Sequence, residues 1–151
     1  MQRKKNSSER IGYRFLPDVA IADVCFEATG KDLNELFANA GRATTEIMVA
    51  GSSLRGALRR EIQVTAPSVE QLLFDFLNEL IYLKDTASFL VKGFEITVES
   101  NSEWKIHGTL IGDTIDASTQ KMGADAKAIT MHMFEVKQTD AGWMCRVVVD
   151  I

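Results

Sequence analysis

Ser68-Val-Glu-Gln-Leu-Leu-Phe-Asp-Phe-Leu-Asn-Glu-Leu-Ile-Tyr-Leu83 is the stretch on which the fold turns. Leu72, Leu73, Phe76, Leu77, Leu80, Ile81 and Leu83 recur every three to four residues, the period of a helix. The apolar stripe is broad, and a broad stripe on a helix is made to cover a sheet. Ser68 followed by Gln71 predicts a capped start. Immediately upstream the period drops to two. Across Leu58 to Ala66, Ile62, Val64 and Ala66 face one way and Gln63 and Thr65 the other, which predicts a strand. Before it, Ser52 to Gly56 break an earlier helical pattern of Leu33, Leu36, Phe37, Ala40, Ile47 and Met48, opened by an Asp32 and Glu35 capping pair. Tyr13 to Leu16 and Ala22 to Thr29 are short β-prone runs, and residues 1–10 carry no apolar period and predict a disordered tail.

Downstream of the helix almost everything alternates. Phe94, Ile96 and Val98 form one run and Trp104, Ile106 and Leu110 a second. Ala128 to Val136 and Trp143 to Ile151 flank a hairpin turn at Thr139-Asp140-Ala141-Gly142. Gly112 to Asp125 lacks any period, and so long a loop in a small domain is usually functional. The order is ββαβαββββ. It predicts a single α+β domain over residues 11–151, with two helices packed on a largely antiparallel sheet.

The bulk numbers narrow the function. In 151 residues, 46% are hydrophobic and 25% charged, and no apolar run approaches the roughly 20 residues of a membrane span. The opening MQRKKNSSER lacks the apolar core of a secretory signal, so a cytoplasmic protein is expected. Cys25 and Cys145 lie far apart without metal-clip spacing and read as small strand residues. The net charge of -4 disfavours a direct grip on nucleic acid, so any RNA connection is expected to pass through a partner. No Gly-x-Ser-x-Gly elbow, Gly-x-x-x-x-Gly-Lys-Ser/Thr loop or Gly-x-Gly-x-x-Gly fingerprint appears.

Two acidic positions stand out, Asp23 at the mouth of an early strand and Asp150 followed by Ile151. If the strands pair, these carboxylates and the α-carboxylate of Ile151 make an all-oxygen site for a hard cation such as Ca²⁺ or Mg²⁺. The alternative, which spacing alone favours, is that both aspartates simply end strands in water. His132 reads as a hydrogen-bonded strand residue, His107 has no motif around it, and Met131 to Phe134 reads as core. Asp113, Asp116 and Asp125 decorate the long loop, while Arg55, Arg59 and Arg60 form a small basic patch at a strand entrance.

Four blocks carry a family resemblance: Tyr13-Arg-Phe-Leu-Pro-Asp-Val-Ala-Ile-Ala-Asp23-Val, Leu72 to Leu83, Lys127-Ala-Ile-Thr-Met-His132 and the closing Val147-Val-Val-Asp-Ile151. With their spacing they span nearly all of residues 13–151, and together they resemble the archease family. The resemblance implies an accessory protein, not an enzyme, that activates an RtcB-type RNA splicing ligase by promoting guanylylation and multiple turnover in tRNA splicing and RNA repair. It also implies Asp23, Asp150 and Ile151 as ligands of a divalent metal, Ca²⁺ or Mg²⁺. The family's opening reads aspartate, histidine, threonine, alanine, aspartate, whereas here Ala20 and Ile21 replace the histidine and threonine. Asp116 and Lys127 are expected to face a protein partner. Two other functions remain open at this point: a general chaperone or modulator of RNA-modifying enzymes, and a metal-dependent phosphoesterase. The oligomeric state is not set by these residues.

Overall fold

A computed structural model describes residues 9–10, 12–16 and 23–151, and in it the stripe around Phe76 becomes helix α2 (Val69–Ala87). Ser68 caps it, Oγ accepting from the Gln71 N–H at 3.1 Å, and Ser88 ends it in the left-handed region at φ 51°. Helix α1 (Leu33–Met48) begins the same way, with the Asp32 carboxylate accepting from the Glu35 N–H at 2.9 Å. Both expected capping boxes close on one side only. The Glu35 carboxylate accepts from the Lys31 N–H, and the Gln71 amide donates to Asp75 one turn on.

The strands make two antiparallel sheets. Strands β1 (Glu9–Arg10), β2 (Tyr13–Phe15) and β3 (Asp23–Gly30) open the chain; β4 (Leu58–Ala66), β5 (Phe89–Ser100) and β6 (Trp104–Thr114) surround α2; β7 (Ala128–Thr139) and β8 (Gly142–Asp150) close it. One sheet has the order β1-β2-β3-β8-β7 and the other β4-β6-β5. The helices are the middle layer: α1 touches β3 and β8 on one side and β5 on the other, and α2 touches β7 as well as β4, β5 and β6. Ala38, Ala40, Gly41 and Ala43 let α1 sit this close to both sheets. A Cβ on Gly41 would lie 2.5 Å from the Phe94 ring, so a larger residue there would have to displace that ring. Phe76 joins the layers, with ring centroids 5.7 Å from Phe37 and 6.2 Å from Phe94.

The α+β class and the order of two helices among antiparallel strands stand as the alternation predicted. Three local readings change. Glu9 and Arg10, placed in the tail, pair with Arg14 and Tyr13. Strand β6 runs on to Thr114, because Gly112, Asp113 and Thr114 pair with Val91, Leu90 and Phe89 although they carry no alternation. Of Met131 to Phe134 only Phe134 packs against the core. The run is a bulge on edge strand β7, where Met131 and Met133 are exposed, Met133 sits at φ 56°, and Phe134 packs on Phe74 at 5.8 Å.

Candidate metal centre

The register of β3 on β8 makes Asp23 the direct partner of Asp150, followed by Val24 with Val149, Cys25 with Val148, Phe26 with Val147 and Glu27 with Arg146. Because side chains alternate, Val24, Phe26 and Ala28 point to the helices with Val149, Val147 and Cys145, which leaves Asp23 and Asp150 together on the opposite face. Directly opposed side chains stand about 5 Å apart at Cβ, and like charges in that arrangement destabilise a sheet. Both aspartates are half-buried. The next pair on their face, Cys25 and Val148, is buried, and Glu27 beyond it accepts from Arg14 at 2.7 Å and Arg146 at 3.0 Å. Burial alone would raise the Glu27 carboxyl, but the two guanidinium bonds outweigh it and hold it below the usual carboxylate range.

A third piece of chain closes on the pair. The Lys127 N–H donates to the Asp150 carbonyl at 2.8 Å, and Ala128 begins β7 opposite Asp150. The segment before it is clamped by Lys84, whose side chain is only 10% exposed and whose Nζ donates to Asp125 at 2.5 Å, Asp85 at 2.7 Å and the Ala126 carbonyl at 2.8 Å. Burial works against the Lys84 charge, yet the bonds to Asp125 and Asp85 raise it above the ordinary lysine value. Nothing in the sequence marked Lys84; it is one of several polar residues in the last turns of α2. Among the described residues no three His, Cys, Asp or Glu side chains converge to hold a metal. Asp23 and Asp150 therefore supply two carboxylates, and Ile151, half-buried against the core, follows on directly. Ala20 and Ile21 lie outside the described residues.

The aperiodic segment is firmly tied down. Gly123 and Ala124 N–H groups donate to the Met48 and Ile47 carbonyls at 2.8 and 2.9 Å, so the loop satisfies carbonyls at the end of α1 that would otherwise lack partners. Buried Gln120 bridges it to β6, donating to the Thr114 carbonyl at 2.8 Å and accepting from the Asp116 N–H at 2.9 Å. Asp116 is exposed, and its carboxylate folds onto the Ser118 N–H and hydroxyl, which lowers its pKa. Lys127 is exposed as well. Asp113 corrects the reading of a solvated loop acid: it is buried in β6 and accepts from the Arg55 N–H at 3.1 Å and the Arg55 guanidinium at 3.3 Å. Those contacts, the guanidinium first, hold its carboxyl below the usual range.

The three arginines of the basic patch each have a contact within the domain. Arg55 is committed to Asp113, Arg59 to Glu95 at 2.7 Å on the outer face of its sheet, and Arg60 lies over the Phe89 ring. His107 pairs with Glu99 at 3.3 Å, and His132 is exposed in the β7 bulge. Both thiols are free and buried; desolvation raises Cys25 and pushes Cys145 up to about 12.

Two antiparallel sheets enclosing a helix pair, with an acidic cross-strand pair where the first long strand meets the last, define an α+β domain of distinct topology. The Archease protein family (MTH1598/TM1083) matches residues 13–151, and the chain belongs to that family. It is 40% identical over 141 residues to the protein archease of Archaeoglobus fulgidus, covering 92% of this chain and 98% of that one. To the protein archease of Methanosarcina barkeri it is 33% identical over 147 residues, covering 96% and 99%. The solution structure of Methanobacterium thermoautotrophicum protein 1598 superimposes with a TM-score of 0.79 at 30% identity, over 93% of this chain and 99% of that one. A Thermotoga maritima archease described as a possible chaperone shares the fold, with a TM-score of 0.61 at 19% identity over 100% of this chain and 98% of that one.

Proposed function

We propose that this archease activates an RtcB-type RNA splicing ligase, promoting its guanylylation and repeated turnover, through a divalent-cation site formed by Asp23, Asp150 and the carboxylate of Ile151. The observation that supports the reading is the register that sets Asp23 against Asp150, two like charges that a sheet keeps side by side only at a cost. The donors are all hard oxygens, which suits Ca²⁺ or Mg²⁺, with water and partner groups filling the remaining positions. The bound ion supplies concentrated positive charge on an otherwise acidic protein, of the kind that orients a nucleotidyl group and neutralises developing charge. The residues of this chain hold it in place: Asp23 and Asp150 from the ladder, Ile151 beside them, and Lys127 through the Asp150 carbonyl. Exposed Asp116 and the Lys127 ammonium are the proposed contacts with the ligase. RNA is met indirectly, in keeping with the net charge of -4.

The test is stimulation of a cognate ligase. Asp23→Ala and Asp150→Ala are expected to fold and to lose stimulation, while calorimetric titration shows Ca²⁺ or Mg²⁺ binding to the parent protein and not to either variant. A chain extended past Ile151 should bind the cation more weakly. Full stimulation by both alanine variants defeats the reading.

A further inference from the structure

Strand β7 is the outer strand of its sheet, and its ladder with β8 is interrupted between Thr130 and Glu135. Thr130 pairs with Val148 and Glu135 with Arg146, so Met131, His132, Met133 and Phe134 stand opposite Val147 alone. Ile129 and Phe134 both pack into the core although they are five positions apart, a spacing that strict alternation would send to opposite faces. The alternation is therefore broken inside the bulge. The backbone shows where: Met133 takes φ 56°, a left-handed conformation that is uncommon for a residue other than glycine. What the break presents to water is Met131-His132-Met133. Met131 is 53% exposed and Met133 37%, and the exposed His132 has no hydrogen-bond partner or ion pair among the described residues.

Single exposed apolar side chains need no explanation, but here two thioethers flank an unpartnered imidazole on a strained piece of backbone. Thioether sulfur is a soft donor and imidazole a borderline one, a set that selects Cu(I) and gives Ca²⁺ or Mg²⁺ nothing to hold. The three donors are within reach of one ion. Successive residues advance by at most about 3.6 Å, so the Cα atoms of Met131 and Met133 lie within about 7 Å of each other. Each methionine then swings its sulfur on three rotatable bonds. No carboxylate stands inside the bulge to draw a hard cation, and Glu135 at its end is paired with Lys137 at 3.1 Å. The other soft groups with reactive sulfur are withheld, since Cys25 and Cys145 are buried and desolvation keeps both as thiols.

We propose that the Met131–His132–Met133 bulge is a binding site for a soft monovalent cation, Cu(I), held by the two thioether sulfurs and one imidazole nitrogen and separate in its residues from the Asp23–Asp150 pair. The test titrates the full chain with Cu(I) in the absence of oxygen, with bicinchoninate competing for the ion and excess Mg²⁺ present. One Cu(I) per chain should bind and shift the methyl signals of Met131 and Met133 and the ring signals of His132. Mg²⁺ or Ca²⁺ alone should shift none of these. Losing even a group behind a metal ligand costs about 10–100-fold in affinity, so Met131→Leu, Met133→Leu and His132→Asn should each weaken binding about tenfold or more. All three positions are exposed and the replacements keep the side-chain size, so the variants should fold as the parent does. Met122→Leu should leave binding unchanged, because Met122 is exposed but has neither histidine nor methionine beside it in the chain. Undiminished affinity in the three bulge variants, shifts that gather on Cys25 and Cys145 instead, or no binding against bicinchoninate overturns the proposal and leaves the reading of Asp23 and Asp150 untouched.

Discussion

Replacing either member of the acidic pair by asparagine should make the metal-free protein more stable and the metal-loaded protein less stable. Asp23 and Asp150 are opposed in register and half-buried. At the spacing of about 5 Å between directly opposed Cβ atoms, two unit charges would repel by about 3 kcal/mol at an effective dielectric of 20 and about 1 kcal/mol in bulk water, and less where the carboxylates turn apart. A half-buried pair lies between these limits, and the separation is below the Debye length of about 8 Å at physiological salt, so screening removes only part of it. Asp23→Asn or Asp150→Asn is therefore expected to gain about 1–2 kcal/mol without metal, and each kcal/mol moves the melting point of a domain this size by about 2–4 °C. With cation at about 100 times its dissociation constant the parent gains about 2.7 kcal/mol and the variants nothing, so the order of melting reverses. The double variant should gain no more than either single one, because the repulsion disappears with the first charge. Scanning calorimetry in chelator and then in Ca²⁺ or Mg²⁺ reads all four proteins. The reasoning fails if both asparagine variants melt below the parent in chelator, or if the two substitutions add.

Asp113→Asn should lower stability at neutral pH and flatten its acid dependence. The Asp113 carboxyl is depressed in the folded state by Arg55, so its stabilisation is present above the unfolded value of about 3.9 and is lost as pH falls through the folded one. Urea midpoints measured from pH 7 down to pH 3 should fall more steeply in the parent than in the variant. Lys84→Met should cost about 1 kcal/mol, speed amide exchange at residues 125–127 and weaken cation binding without touching either aspartate. Since the Lys84 value is raised, its contribution is present below about pH 10.4 and disappears as pH climbs through the folded value, so parent and variant urea midpoints should converge at high pH.

The fold could be read from the chain where side chains announce their own burial. Leu72 to Leu83 and the alternating runs of β4 and β8 give their periods directly, because each has one apolar face. The failures share a cause. Gly112 to Thr114 and Glu9 to Arg10 are held by backbone pairing, which leaves no apolar signature, and Met131 and Met133 look like core residues until a bulge turns them outward. Within the site, Asp23 and Asp150 were visible as acids at strand ends, but their partnership is a pairing across more than a hundred residues that only the register makes plain. Asp113 and Lys84 were hidden for the opposite reason: a charged residue in a loop or a late helix turn is usually solvated, and only the position of Arg55 or of Asp125 and Ala126 shows that these two are not.

The way the acidic pair is built also says what cation binding should and should not do. Asp23 and Asp150 stand at the ends of strands whose inner face, Phe26, Ala28, Cys145 and Val147, is fully buried, and the pair beneath them, Cys25 and Val148, is buried too. Lys84 fixes the segment that reaches the Asp150 carbonyl through Lys127. A carboxylate pair set on paired strands is already ordered before any ion arrives, unlike ligands carried by a flexible loop that must fold around it. Cation binding therefore has little ordering entropy to supply and should change the backbone little. What it changes is local charge: the mutual repulsion of the carboxylates is neutralised by a divalent ion at one end of an acidic protein. Activation of a partner by such a site would follow from electrostatics presented on a rigid surface, so a change of shape on cation binding, seen as widespread amide shifts in the two helices, would count against it.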